Sequence, residues 1–150
     1  MRRTKALLLF TLLLWMVSCV EEAPRFTVPY ARVFFRVDLN GLDYDLTPFS
    51  YKIYLQGRRA GEATGYGGLL LFRRAEDLLF AYDLCCPHED DRTVKVSPTS
   101  DGKAVCPKCG SVFVTIHGLG SVESGPSTEP LQLYQVRKES NLDAVFLITN

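Results

Sequence analysis

Beyond its first two dozen residues, the chain sustains no helical apolar rhythm over twelve or more positions. Short runs rich in β-branched, aromatic and aliphatic residues recur instead, each closed by a turn signal. Arg32–Leu39 (RVFFRVDL) stops at Asn40-Gly41, and Tyr51–Leu55 (YKIYL) alternates before Gln56-Gly57. Gly68–Arg73 (GLLLFR) and Leu78–Asp83 (LLFAYD) flank a hairpin turn at Arg74–Asp77. Val94–Val96 and Ala104–Val105 flank the Pro- and Gly-containing turn Ser97–Lys103, and Val112–Ile116 (VFVTI) runs out toward Gly118 and Gly120. Leu131–Val136 and Ala144–Thr149 pair across Arg137–Asp143, while Asp45–Ser50 is expected to hold one helical turn. About eight or nine short strands at this spacing predict an all-β fold, an antiparallel sandwich or barrel-like domain. Phe34, Phe35, Tyr51, Tyr54, Phe72, Phe80, Phe113 and Tyr134 read as its core and edge packing.

The start of the chain has a different pattern. Arg2, Arg3 and Lys5 precede a twelve-residue apolar run, Ala6–Val17, broken only by Thr11. That run is too short to span a bilayer and suits a signal-peptide core. Met16-Val17-Ser18-Cys19 resembles a bacterial lipobox, which implies that residues 1–18 leave and that Cys19 carries lipid on its sulfur and amine. No aspartate follows Cys19, so the expected location is the cell envelope, at the outer rather than the inner membrane. Several acyl chains on one residue give durable anchoring. The remaining residues, 19–150, suffice for a single domain with one core.

Composition narrows the options further. The chain balances 17 Lys+Arg against 17 Asp+Glu, and without its leader it is slightly acidic. With no basic stripe interleaved by aromatics, nucleic acid is not an expected partner. At 47% hydrophobic residues the mature chain is expected to fold rather than stay disordered.

The candidate chemistry lies in two short loops, Cys86-Pro87-His88 and Cys106-Pro107-Lys108-Cys109-Gly110-Ser111, with seventeen residues between His88 and Cys106. Outside the cytoplasm, Cys85, Cys86, Cys106 and Cys109 could form two disulfides, and three connectivities are open. The spacing favours metal instead: Cys85 and Cys86 are adjacent, which would strain a bond between them, and His88 follows close behind. A C-P-x-C-G turn also directs backbone N–H groups at its first sulfur and so stabilises a thiolate. Three Cys and one His make a standard structural zinc set, and the same residues can hold an iron–sulfur cluster. Cys85 is a spare thiol, a packed core residue, or the ligand in place of Cys86. His117 reads as a turn residue and Glu89-Asp90-Asp91 as a solvated loop.

These residues resemble the Rieske iron–sulfur domain. C-P-H, seventeen residues and C-P-x-C-G-S-x-F match its two ligand loops, and Phe80-Ala81-Tyr82-Asp83 matches the strand before the first. Val122-Glu123-Ser124-Gly125-Pro126, followed by Pro130–Val136, is similar to its covering glycine–proline loop and next strand, so the likeness spans residues from about 66 to 149. It implies a Rieske-like antiparallel β-sandwich with a small metal-binding subdomain of two loops at about 84–120. By this resemblance Cys86 and Cys106 hold the inner iron of a 2Fe–2S cluster, and His88 and Cys109 the outer one. Ser111, Phe113, Gly125 and Pro126 surround them. Cys109 stands where the family has histidine. A thiolate in place of a neutral imidazole adds negative charge, and Phe113 lacks the tyrosine hydroxyl of high-potential members, so a lower potential is implied.

Three functional classes follow. The chain is a one-electron transfer module at the envelope with an unknown redox partner, a module in which zinc staples two loops, or an enzyme. The enzyme class is disfavoured, because a Rieske oxygenase needs a second iron domain with a histidine–carboxylate triad, and His88 and His117 are the only histidines.

Overall fold

The computed structural model describes residues 26–142 and 144–150; the leader and Cys19 lie outside the described residues. Among the described residues the fold is all-β, with eleven strands: β1 (Val33–Asp38), β2 (Ser50–Tyr54), β3 (Ala63–Thr64), β4 (Leu69–Ala75), β5 (Leu78–Asp83), β6 (Ser97–Pro98), β7 (Lys103–Val105), β8 (Val112–Val114), β9 (Ser121–Ser124), β10 (Leu133–Lys138) and β11 (Val145–Thr149). No helix occurs among the described residues. Asp45–Ser50 forms turns instead, with the Thr47 N–H on the Asp45 carbonyl (3.0 Å) and the Ser50 N–H on that of Thr47 (3.1 Å). Pro48 disfavours helical geometry at Thr47, and Phe49 takes a left-handed φ of 60°.

Seven strands form one antiparallel sheet in the order β2-β4-β5-β10-β11-β1-β3. The sheet curls back on itself. Four strands separate β2 from β1, yet the Tyr54 ring of β2 lies 4.5 Å from the Phe35 ring of β1, centroid to centroid. Inside the curl, Phe35, Val37, Leu69, Leu71, Ala81, Phe146 and Ile148 form the first core. Near-closure leaves few strand edges unpaired. Arg58 sits across the join, its guanidinium 4.7 Å from the Phe35 ring and 4.6 Å from that of Tyr54. Its fork donates to both oxygens of the fully buried Asp43 (2.7 and 3.1 Å), which also accepts from the Tyr54 phenol and the Asp38 N–H. Burial opposes the Asp43 charge, but the Arg58 and Tyr54 hydrogen bonds outweigh it and hold the carboxyl below its usual range.

A smaller sheet, β6-β7-β8-β9, is inserted between β5 and β10. It covers the outer face of β4 and β5, so Leu70 and Tyr82 pack with Leu84, Val96, Ala104, Phe113 and Leu131 in a second core. This arrangement explains the uninterrupted run Leu69–Phe72: Leu69 and Leu71 enter the first core, Leu70 enters the second, and Phe72 is buried against the Tyr51 ring. The insert reaches past residue 120, because β9 completes its sheet. Val94–Val96 is not a strand; only Lys95 bridges to Cys85, and pairing resumes at Ser97–Pro98 within the expected turn. Pro98 is tolerated there because β6 is an edge strand.

Candidate metal centre

The two ligand loops carry Cys86 and Cys106 at the second core, and backbone hydrogen bonds set the shape of each. The first begins at Asp83, the last residue of β5. Its fully buried carboxylate accepts N–H bonds from Tyr66 (2.7 Å), Gly67 (2.9 Å) and Cys85 (2.7 Å), and the Tyr134 phenol at 2.6 Å. Such a charge is tolerable in a core only when its oxygens are satisfied in this way. Past it, the N–H groups of Glu89 and Asp90 both donate to the Cys86 carbonyl (3.2 and 3.1 Å), closing a tight turn. The second loop turns similarly. The Cys106 N–H donates to the Ser111 carbonyl (2.8 Å) and the Gly110 N–H to that of Cys106 (3.0 Å), with Gly110 at a φ of 74°.

The two turns gather Cys86, Cys106 and Cys109, whose Sγ atoms all lie within 4.8 Å of one another. The Cys86 and Cys109 sulfurs are 3.7 Å apart. Cys86 and Cys106 are buried, Cys109 is partly exposed, and all three are free thiols able to bind a metal ion. Thiolate sulfurs around one tetrahedral ion at about 2.3 Å stand about 3.8 Å apart, so the donor set fits one soft or borderline ion.

The thiols are not equivalent. Burial pushes Cys86 up to about 12; the backbone N–H groups of Glu89 and His88 oppose this, and the thiols of Cys106 and Cys109 add to it. At Cys109 burial also disfavours the charge, but the Ser111 hydroxyl and N–H, then Cys106 and Cys86, hold it below the usual thiol range. Ser111 Oγ lies 3.1 Å from the Cys109 sulfur and accepts the Ser127 N–H at 3.0 Å. The hydroxyl has a second acceptor site for the Cys109 thiol and its own proton for the thiolate. Gly125 packs over the same serine: a Cβ there would lie 2.4 Å from the Ser111 Cα, and its φ is 96°.

The remaining expected residues fall in distinct places. His88 is exposed on the turn after Cys86 and is not one of the residues whose ligand atoms gather. Cys85 is fully buried and faces away, with its Sγ 3.4 Å from the Asp91 carbonyl and 3.6 Å from that of Cys86. Burial, then the charge of Asp83, pushes its thiol up to about 12. Phe113 is fully buried in the second core, Pro126 is exposed beside Gly125, and His117 is exposed on the turn after β8. Glu89 is not solvated as expected: its side chain is only 11% exposed and bonds Lys108 Nζ at 2.5 Å, clasping one ligand loop to the other. Neither this clasp nor the anchoring role of Asp83 and the Ser127 N–H is among the features expected from the sequence. The opposite charges of Glu89 and Lys108, each at a ligand-loop tip, were the available signal for the clasp. No protein-family model matches the chain, and no curated protein matches it.

Proposed function

We propose that this chain is a lipid-anchored bacterial envelope protein with a Rieske-like scaffold, whose ligand loops hold a single zinc ion on Cys86, Cys106 and Cys109. The observation that carries this reading is the 3.7 Å separation of the Cys86 and Cys109 sulfurs, close to the edge of a ZnS tetrahedron. In the Rieske register those two residues serve different irons, and ligands on opposite ends of a binuclear cluster stand farther apart than ligands sharing one ion. His88, two residues past Cys86 on a surface turn, is the candidate for the fourth position. Bound zinc supplies no redox chemistry; it would staple the insert and fix its surface for a partner.

A second reading, a low-potential 2Fe–2S one-electron carrier, draws support from a different observation. Ser111 presents its hydroxyl to the sulfur of Cys109, the most exposed of the three thiols, and hydrogen bonds to sulfur are a lever on cluster potential. Elemental analysis of protein purified without oxygen from its native host tests both readings. One zinc per chain and no visible absorption supports the staple. Iron with acid-labile sulfide and a visible band bleached by mild reductant supports the carrier. Protein isolated with neither metal overturns both.

A further inference from the structure

A polar cleft of about 160 Å³ lies behind the first ligand loop, bounded by Thr64, the Gly65–Gly68 segment, Arg92 and Lys95. It is well below the roughly 300 Å³ at which pockets for organic cofactors begin. Two cations face it. The Arg92 guanidinium is steadied over the Tyr66 ring, 5.9 Å from its centroid, and Lys95 Nζ spends one of its three donors on the Arg92 carbonyl at 2.8 Å. Neither forms an ion pair with a carboxylate among the described residues. Two carboxylates beside the cleft take their hydrogen bonds from other donors, although Asp91 still attracts Lys95 at longer range. Asp83 faces its four donors under the glycine segment, and the Oδ1 of Asp91 accepts the N–H (2.9 Å) and hydroxyl (2.7 Å) of Thr93. Two cations without a carboxylate at ion-pair distance line one small polar cleft, and the guanidinium fork suits a tetrahedral or planar oxyanion.

From this we propose that the cleft is a binding site for a phosphate-type oxyanion, held by Arg92 and Lys95. The site is separate from the thiol cluster and does not depend on which metal occupies it. It does back onto the ligand loop: Lys95 bridges to Cys85, and the Val94 carbonyl accepts the Cys86 N–H at 3.1 Å.

The test is a titration of the full chain, kept in nonionic detergent at constant ionic strength, with inorganic phosphate and separately with dimethyl phosphate, a mimic of a lipid phosphodiester. The readout is the amide resonances of Tyr66, Gly67, Gly68 and Lys95. Saturable shifts that weaken roughly tenfold in Arg92→Gln and recover in part in Arg92→Lys support the site. A preference for inorganic phosphate points to a free ion, and a preference for the diester to a headgroup. Arg92 is exposed, so Arg92→Gln is expected to fold and to keep its metal content, which is measured alongside. Shifts that do not saturate, that chloride reproduces, or that survive unchanged in Arg92→Gln overturn the proposal.

Discussion

The Tyr134 phenol donates to the Asp83 carboxylate at 2.6 Å, joining the strand that enters the metal-binding insert to the strand that leaves it. This bond closes the neck of the insert from within the core. Asp83→Asn places an amide where three backbone N–H groups and the phenol need acceptors, and should cost about 2–4 kcal/mol. Tyr134→Phe removes one donor of four and should cost about 1–2 kcal/mol. Burial first, then the charge of Asp83, raises the Tyr134 phenol above its ordinary range. A group with a raised pKa contributes its full stabilisation below the unfolded value and loses it as pH climbs. Stability should therefore fall above about pH 10, and less steeply in Tyr134→Phe. Urea unfolding across that range reads both effects; equal slopes in the two proteins would exclude the phenol as the source.

Metal should order the insert. Cys106 is buried between the two loops, and Cys106→Ser is expected to abolish metal retention and to speed amide exchange over residues 84–130, leaving the curled sheet protected. Cys85→Ala should keep its metal, because that thiol faces the carbonyls of Asp91 and Cys86 instead of the cluster. Metal content and exchange mass spectrometry check the pair. Loss of metal in Cys85→Ala would move the first ligand by one position.

Much of this arrangement can be read in the residues. The strand runs at β1, β2, β4, β5, β10 and β11 are legible because each alternates or clusters apolar side chains over five to seven residues. β3 is two residues long and β9 (Ser121–Ser124) is polar and mostly exposed, so neither carries such a pattern. The approach of Cys109 to Cys106 follows from turn chemistry that C-P-x-C-G announces, whereas Cys86 is brought to them by the fold. The orientation of His88 depends on how the turn after Cys86 closes, and that is not encoded in ligand spacing. The burial of Asp83 is equally silent locally, since its donors come from Tyr66, Gly67 and Tyr134, which only the fold brings together.

In metal-free protein the thiols should react in a fixed order. The thiolate is the nucleophile, so Cys109, partly exposed and held below the usual range, is expected to alkylate first at neutral pH. Cys85 and Cys86, both pushed up to about 12 by burial, should react last. Ser111→Ala removes the hydroxyl beside Cys109 and should slow that first step. Timed iodoacetamide labelling with peptide mapping gives the order, and a faster Cys86 would contradict it.

Gly125 tests whether the covering loop positions Ser111. Gly125→Ala introduces a Cβ 2.4 Å from the Ser111 Cα at a φ of 96°, so the loop must shift or the serine must move. The expected cost is about 2–4 kcal/mol, with a weaker Ser127–Ser111 bond and a Cys109 thiol that titrates higher. An absorbance titration of the apo thiols at 240 nm, compared with Ser111→Ala, measures the second effect. A normal Cys109 titration in a destabilised Gly125→Ala would show that the loop supports the fold without tuning the site.

The Glu89–Lys108 clasp should govern how fast metal leaves rather than whether it binds. Neither residue belongs to the thiol cluster, yet their 2.5 Å ion pair joins the two loops that must separate for an ion to escape. Glu89→Gln keeps the shape and removes the charge, so transfer of metal to a chelator should accelerate several-fold with little change in metal content. Lys108 is largely exposed, and salt screens such pairs over about 10 Å at 0.1 M. Raising the salt should therefore bring the wild-type rate toward that of Glu89→Gln and leave the variant nearly unchanged. Stopped-flow competition at two salt concentrations resolves this, and a variant that responds to salt as strongly as the wild type would assign the gating to another contact.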